Sequence, residues 1–194
     1  MRHVKLQELI SISLENGKLG YIPSVSLVPD DFCRSMPCYH EGCYAVALYK
    51  ARKNVRKAWQ KNTDLCRKDR TTFFAAIDRF LRLAMPPFFR WHVGGEIPDE
   101  NYLCGIVQTA ASHPDCRFLV YTKRYDLLHG LNPVPKNLAI LMSIWKGLEY
   151  PSNLKFRKAF TGVEAQKRAF PCPGYCGDCR ACWISKKDIV FDFK

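Results

Sequence analysis

Apolar runs of strand length alternate with helix-length segments through most of this chain, and that alternation limits its fold more than any other feature. Residues 21–28 read as extended, and 88–93, 118–122 and 138–144 read as strands rich in aromatic and branched side chains. Residues 44–61 contain neither Pro nor Gly and read as helix. A second helix over about 72–84 sets Phe73, Ile77, Phe80, Leu81 and Ala84 on one side and is stopped by Pro86 and Pro87. A third, near 99–111, spaces Leu103, Ile106, Val107 and Ala110 helically, and 125–129 reads as a short helical turn. Strands joined by helices become parallel neighbours through right-handed crossovers, and strands this apolar belong to a sheet covered on both faces or curled into a barrel. Roughly four to six such units fall short of the eight of a closed barrel, so the predicted class is α/β, a partial (β/α) barrel of parallel strands.

Ligands in parallel α/β folds sit at the carboxyl ends of the strands. The predicted strand ends carry Gly94, Gly95 and Glu96, then Thr122 and Lys123, then Ser143, and the first strand runs into a cysteine-rich loop. These residues are expected to converge on one mouth. Taken alone, Gly94-Gly95-Glu96 is equally readable as an ordinary strand-to-helix turn. His92, on the same strand, reads either as a ligand or hydrogen-bond donor at the mouth or as a satisfied structural histidine.

Seven of the ten cysteines fall into two groups: Cys33, Cys38 and Cys43 near the start, and Cys172, Cys176, Cys179 and Cys182 near the end. Residues 1–5 form no charged-then-apolar leader, and residues 6–14 are too short and too interrupted by Gln7 and Glu8 for a membrane span. The chain is therefore expected in the cytoplasm, with no membrane partner. In that reducing compartment such spacings read as metal ligands ahead of disulfides. Cys66, Cys104 and Cys116 are isolated and are expected to be small buried hydrophobes.

A three-thiol group leaves one coordination position open for a substrate or cofactor, whereas four thiols can close a site. In the terminal group, Pro171, Pro173, Gly174 and Gly177 permit tight turns; its short intervals suit an iron–sulfur cluster, with structural zinc as the alternative. The expected organisation is a partial barrel over 1–165 and a four-cysteine segment over 166–194 packed on the same domain.

Several motifs carry a resemblance. Cys33-x4-Cys38-x4-Cys43 followed by Tyr44 and Ala45, the stretches 54–62 and 118–123, Phe-Arg-Trp-His-Val-Gly-Gly-Glu over 89–96, and the terminal cysteine run to Trp183 together resemble small radical S-adenosylmethionine-like proteins of bacteriophages. The resemblance covers most of 22–183. It implies that Cys33, Cys38 and Cys43 ligate a four-iron, four-sulfur cluster whose remaining iron binds S-adenosylmethionine, with an external electron donor. It implies that Glu96 accepts from the cofactor's ammonium group, that Gly94 and Gly95 let the backbone approach, and that Tyr44 packs by the adenine. A second cluster at the terminal cysteines, or zinc there, completes the expected cofactors. The four-residue gaps depart from the three- and two-residue gaps usual in that superfamily. For a phage protein the compartment is the host cytoplasm.

The formal charge of +12 suggests a polyanionic partner. From residue 44 to 63 there is no acidic residue, and Lys50, Arg52, Lys53, Arg56, Lys57 and Lys61 recur at helical intervals. Lys155, Arg157, Lys158, Lys167, Arg168 and Arg180 add charge near the terminal cysteines. The pattern reads as a nucleic-acid track, or as the solvated face of a basic protein; no base-reading motif accompanies it. Two classes of function follow: an iron–sulfur enzyme acting on a nucleic acid or nucleotide, and a non-catalytic, metal-stabilised binding protein that contacts nucleic acid or a host assembly.

Overall fold

The computed structural model describes residues 9–161 and 168–191; residues 1–8, the expected 165/166 boundary and Lys167 lie outside them. One eight-stranded sheet organises these residues, in the order β1-β2-β3-β4-β5-β6-β8-β7. Its strands are β1 (Ile12–Ser13), β2 (Ser24–Val25), β3 (Phe88–Trp91), β4 (Arg117–Thr122), β5 (Leu138–Trp145), β6 (Arg157–Thr161), β7 (Phe170–Pro171) and β8 (Ile189–Phe191). Only the β1–β2 pair is antiparallel. The class is thus mixed α/β with a mostly parallel sheet. The order runs from one edge to the other and, among the described residues, joins no barrel.

The period of two along each central strand sends alternate side chains to two different cores. Phe89, Trp91, Phe118, Val120, Leu138, Ile140, Met142, Ile144 and Phe160 face the helices. Leu119, Leu141, Ala159 and Ile189 face the other way and meet Cys176, Cys182 and Trp183 of the C-terminal segment. That second covering explains why strands such as β5 are apolar on both faces.

Helices α4 (Lys53–Lys68), α5 (Arg70–Ala84) and α6 (Glu100–Ser112) cover the first face. Asp69 caps α5, accepting from the Thr72 amide at 2.9 Å, and Met85 closes it in the left-handed conformation (φ 43°) ahead of Pro86. Asp99 caps α6 through the Tyr102 amide and also receives Arg70 at 2.5 and 2.8 Å, joining the starts of two helices. The helix expected over 44–61 is two helices, α3 (Tyr44–Ala51) and α4. Arg52 is extended between them (φ −111°, ψ 104°), and the Arg56 guanidinium donates to the Lys50 carbonyl at 3.1 Å, satisfying an orphaned group at the end of α3. The first cysteine loop contains two short helices, α1 (Asp31–Ser35) and α2 (Pro37–His40).

Beyond β5 the sheet continues through β6 and β8, strands that periodicity does not reveal. In the terminal segment α7 (Cys176–Cys179) and α8 (Ala181–Ile184) lie under the second face. The Cys176 amide donates to the Lys18 carbonyl at 2.7 Å, the Trp183 indole to the Phe89 carbonyl at 3.1 Å, and Arg157 to the Cys182 carbonyl at 3.0 Å. No helix of the described residues is long and apolar enough to cross a membrane.

Candidate functional site

The carboxyl ends of the central strands open into a cavity of about 530 Å³. Cys33, Cys38 and Cys43 border it from α1, α2 and the start of α3, while Gly94, Gly95, Glu96 and Lys123 border it from the ends of β3 and β4. Ser143, Trp145 and Thr161 continue the wall along β5 and β6. These side chains follow Leu119, Leu141 and Ala159 on the second face, so the same period of two that builds the C-terminal core lines the cavity above it.

Glu96 is 6% exposed, and its carboxylate staples two strand ends together. One oxygen accepts from the Ile97 amide at 2.8 Å and the Thr122 hydroxyl at 2.7 Å, the other from the Lys123 amide at 2.9 Å. Burial pushes its pKa up, against the Lys123 charge and these hydrogen bonds. Thr122 is fully buried and also accepts from the Arg124 amide, so it positions Glu96 and does not line the cavity.

The two glycines have packing reasons of their own. A Cβ on Gly94 would stand 2.1 Å from the Trp59 ring, and one on Gly95, where φ is +84°, would stand 2.6 Å from the Leu27 carbonyl oxygen. Both are demanded by the approach of α4 and of the chain after β2, whatever occupies the cavity.

His92 is 4% exposed and borders the cavity, while its Nε2 lies 3.0 Å from the Tyr102 hydroxyl of α6 and the rings stand 5.4 Å apart. Its Nε2 is engaged as a structural histidine's would be, while its Nδ1 is buried without a hydrogen-bond partner. Burial, reinforced by the Arg90 charge, pulls its imidazole down to about 3 from an ordinary 6.5. The folded state thus holds His92 neutral where the unfolded chain binds a proton. Stability is expected to rise with pH between about 3 and 6.5, by up to about 1.4 kcal/mol per pH unit from this group. Comparing urea midpoints of the wild type and His92→Gln from pH 4 to 7 measures it; equal pH slopes would exclude His92 as the source.

Tyr44 is half-exposed, lines the cavity and donates its hydroxyl to the Val93 carbonyl, linking α3 to the end of β3. The thiols are free. Burial, with the negative charges of Glu96 and Asp30, pushes Cys33 far above the ordinary thiol value; burial also raises Cys38, with Lys123 opposing. Both therefore carry their protons at neutral pH until a cation displaces them. Among the described residues no three His, Cys, Asp or Glu side chains meet at a single-ion site. A cubane cluster takes each thiolate on a different iron, so its ligands border a space instead of meeting at a point. Three free thiols bordering one cavity are of the chemistry that such a cluster takes.

The terminal cysteines are also brought together: all four border a hollow of about 10 Å³ under the sheet. Of the isolated cysteines, Cys66 and Cys116 are buried as expected, but Cys104 is exposed, because its position on α6 lies opposite Leu103 and Ile106. Lys50, Arg52, Lys53, Arg56, Lys57 and Lys61 all lie exposed on α3, α4 and their junction, outside the cavity.

A family model described as Gene product 88 matches residues 5–157. The chain belongs to the Gene product 88 family. The Gene product 88 match contains the first cysteine group, Gly94-Gly95-Glu96 and the strands up to the start of β6, and ends before the four terminal cysteines. No curated protein and no solved structure matches the chain.

Sequence reasoning missed Arg90. It is 8% exposed on β3, borders the cavity, and lies over the Tyr121 ring at 4.6 Å. The available signal was a lone cation between Phe89 and Trp91, in a strand whose neighbours are apolar on both faces.

Proposed function

We propose that this Gene product 88 protein is a phage-encoded iron–sulfur protein of radical S-adenosylmethionine type. In this reading Cys33, Cys38 and Cys43 hold a four-iron, four-sulfur cluster at the open end of a sheet curved as a partial barrel. The observation that carries it is the meeting of these three thiols with Glu96 and the carboxyl ends of β3 to β5 around one cavity. When bound, the cluster supplies an electron that splits S-adenosylmethionine to a 5′-deoxyadenosyl radical able to remove hydrogen from a substrate. The chain's own part is positional. Lys123 offsets thiolate charge beside Cys38, Glu96 offers its remaining lone pairs to the cofactor's ammonium group, and Tyr44 presents a ring at the cavity edge. Iron and sulfide analysis of anaerobically purified protein, with electron paramagnetic resonance before and after adding S-adenosylmethionine, tests it. A cubane signal perturbed by the cofactor is expected. A protein that neither retains nor reconstitutes iron would leave the non-catalytic, metal-stabilised binding protein as the better reading.

The terminal cysteines border a separate hollow beneath the sheet, and in this reading they hold a second cluster or a structural zinc.

The basic face of α3 and α4 is proposed to contact nucleic acid through phosphates. Lys53 and Lys57 are exposed on α4. The Lys53→Glu, Lys57→Glu double variant is expected to weaken binding of any duplex or single strand and to lower the log–log salt slope by roughly one unit per lost phosphate contact. Binding unchanged by these substitutions would make the face merely solvated.

A further inference from the structure

We infer that the cavity is also a receptor for a phosphomonoester, with Arg90 and Lys18 taking the phosphate of a nucleotide-sized ligand. As a statement about substrate this rests on the reading above; as a statement about binding it needs neither iron nor S-adenosylmethionine.

Arg90 is the decisive residue. A guanidinium is always charged, and burying one without a carboxylate or phosphate partner is costly. Arg90 is 8% exposed, its Nε has no hydrogen-bond partner, and among the described residues no acidic side chain pairs with it. It lies over the face of the Tyr121 ring at 4.6 Å, a contact that uses none of its N–H donors. The structure thus holds a buried cation with a spare donor at the cavity wall.

The surroundings select the ligand. Lys18 Nζ lies 4.9 Å from the centre of the Phe191 ring, and Phe191 lies 5.9 Å from Tyr121, so the two cations and two rings form one continuous stretch of wall. All four side chains border the same cavity. The acids that border it are otherwise engaged: Glu96 by Ile97, Thr122 and Lys123, and Glu41 by the Trp145 indole at 3.0 Å. Two cations with no acid of their own match the doubly charged phosphate of a monoester better than a single carboxylate. Tyr121, Phe191, Tyr44 and Trp145 offer faces and edges to a ring, and in the iron-free protein a volume of about 530 Å³ accepts a mononucleotide. Arg90 and Lys18 also border an adjoining space of about 680 Å³ beyond Tyr44, so a ligand longer than a mononucleotide has room to continue.

The test compares uridine 5′-monophosphate with uridine by calorimetry on full-length, iron-free protein, so that failure of cluster loading does not affect it. The monophosphate is expected to bind at least about tenfold more tightly, with inorganic phosphate competing. Arg90→Gln should abolish that preference and Arg90→Lys should restore part of it. Lys18, partly exposed, provides a second variant that does not depend on the buried site: Lys18→Gln should reduce the preference with the unfolding temperature unchanged. Equal affinity for nucleoside and monophosphate, or a preference that survives both Gln variants, would overturn the proposal. So would loss of metal from the terminal cysteines in Arg90→Gln with the preference intact, since Arg90 also lies near Cys176 and Cys182 and would then be serving their thiolates.

Discussion

On the proposed reading, replacing Cys33, Cys38 and Cys43 together by Ala should abolish an oxygen-sensitive iron content of about four atoms per chain and, with it, binding of S-adenosylmethionine. Loss of any one thiolate removes an anchor from a cluster that has only three, so the single variants should lose most of the iron too. Any metal that the terminal group holds should remain, because those four cysteines border a separate hollow beneath the sheet. Cys104→Ser is the matched control: Cys104 is exposed on α6 and touches neither site, so its iron content should equal that of the wild type. Iron assay and absorbance near 400 nm on anaerobic material measure both. A triple variant with undiminished iron would remove the first cysteine group from the account altogether.

Gly95→Ala should cost about 3 kcal/mol, the sum of roughly 1–2 for an L-residue in a left-handed conformation and 1–3 for overpacking. The conformation is set by φ +84° and the overpacking by a Cβ 2.6 Å from the Leu27 carbonyl oxygen, a backbone atom that no rotamer change can move. With a urea slope of about 2 kcal/mol per molar, the midpoint should fall by about 1.5 M. Gly17→Ala meets nothing within 4 Å and should lie within about 0.5 kcal/mol of the wild type. A Gly95→Ala midpoint equal to that of Gly17→Ala would mean the turn relaxes freely and its glycine answers to a ligand instead.

The strands that carry large side chains were legible because their pattern is redundant. β3, β4 and β5 each send apolar groups to both faces, and their predicted bounds lie within about two residues of those observed. β6 was not legible: Arg157 and Lys158 open it, and Arg157 is drawn in only by the carbonyls of the segment that packs beneath. The break at Arg52 was hidden for a related reason, since neither Pro nor Gly marks it and the Arg56 guanidinium compensates the lost helix bond. At the site, the convergence of the cysteine loop with Gly94, Gly95, Glu96 and Lys123 followed from the rule of strand ends. The orientation of His92 did not, because a positive φ of 55° at that residue turns the ring toward Tyr102. Arg90 escaped because a single cation in a strand reads as a solvent-facing residue until both faces of the sheet are known to be covered.

The packing of the terminal segment also governs the order in which the molecule can be assembled. β8 lies between β6 and β7, and Trp183 is clamped to the Phe89 carbonyl across a separation of 94 residues. While the chain emerges from the ribosome, the helix-covered side can close as soon as β5 is made, but Leu119, Leu141 and Ala159 stay bare until residues 176–189 arrive. A chain ending before residue 176 would therefore leave that apolar surface of the sheet uncovered. The floor of the cavity, which includes Phe191, exists only after the last of these residues has docked.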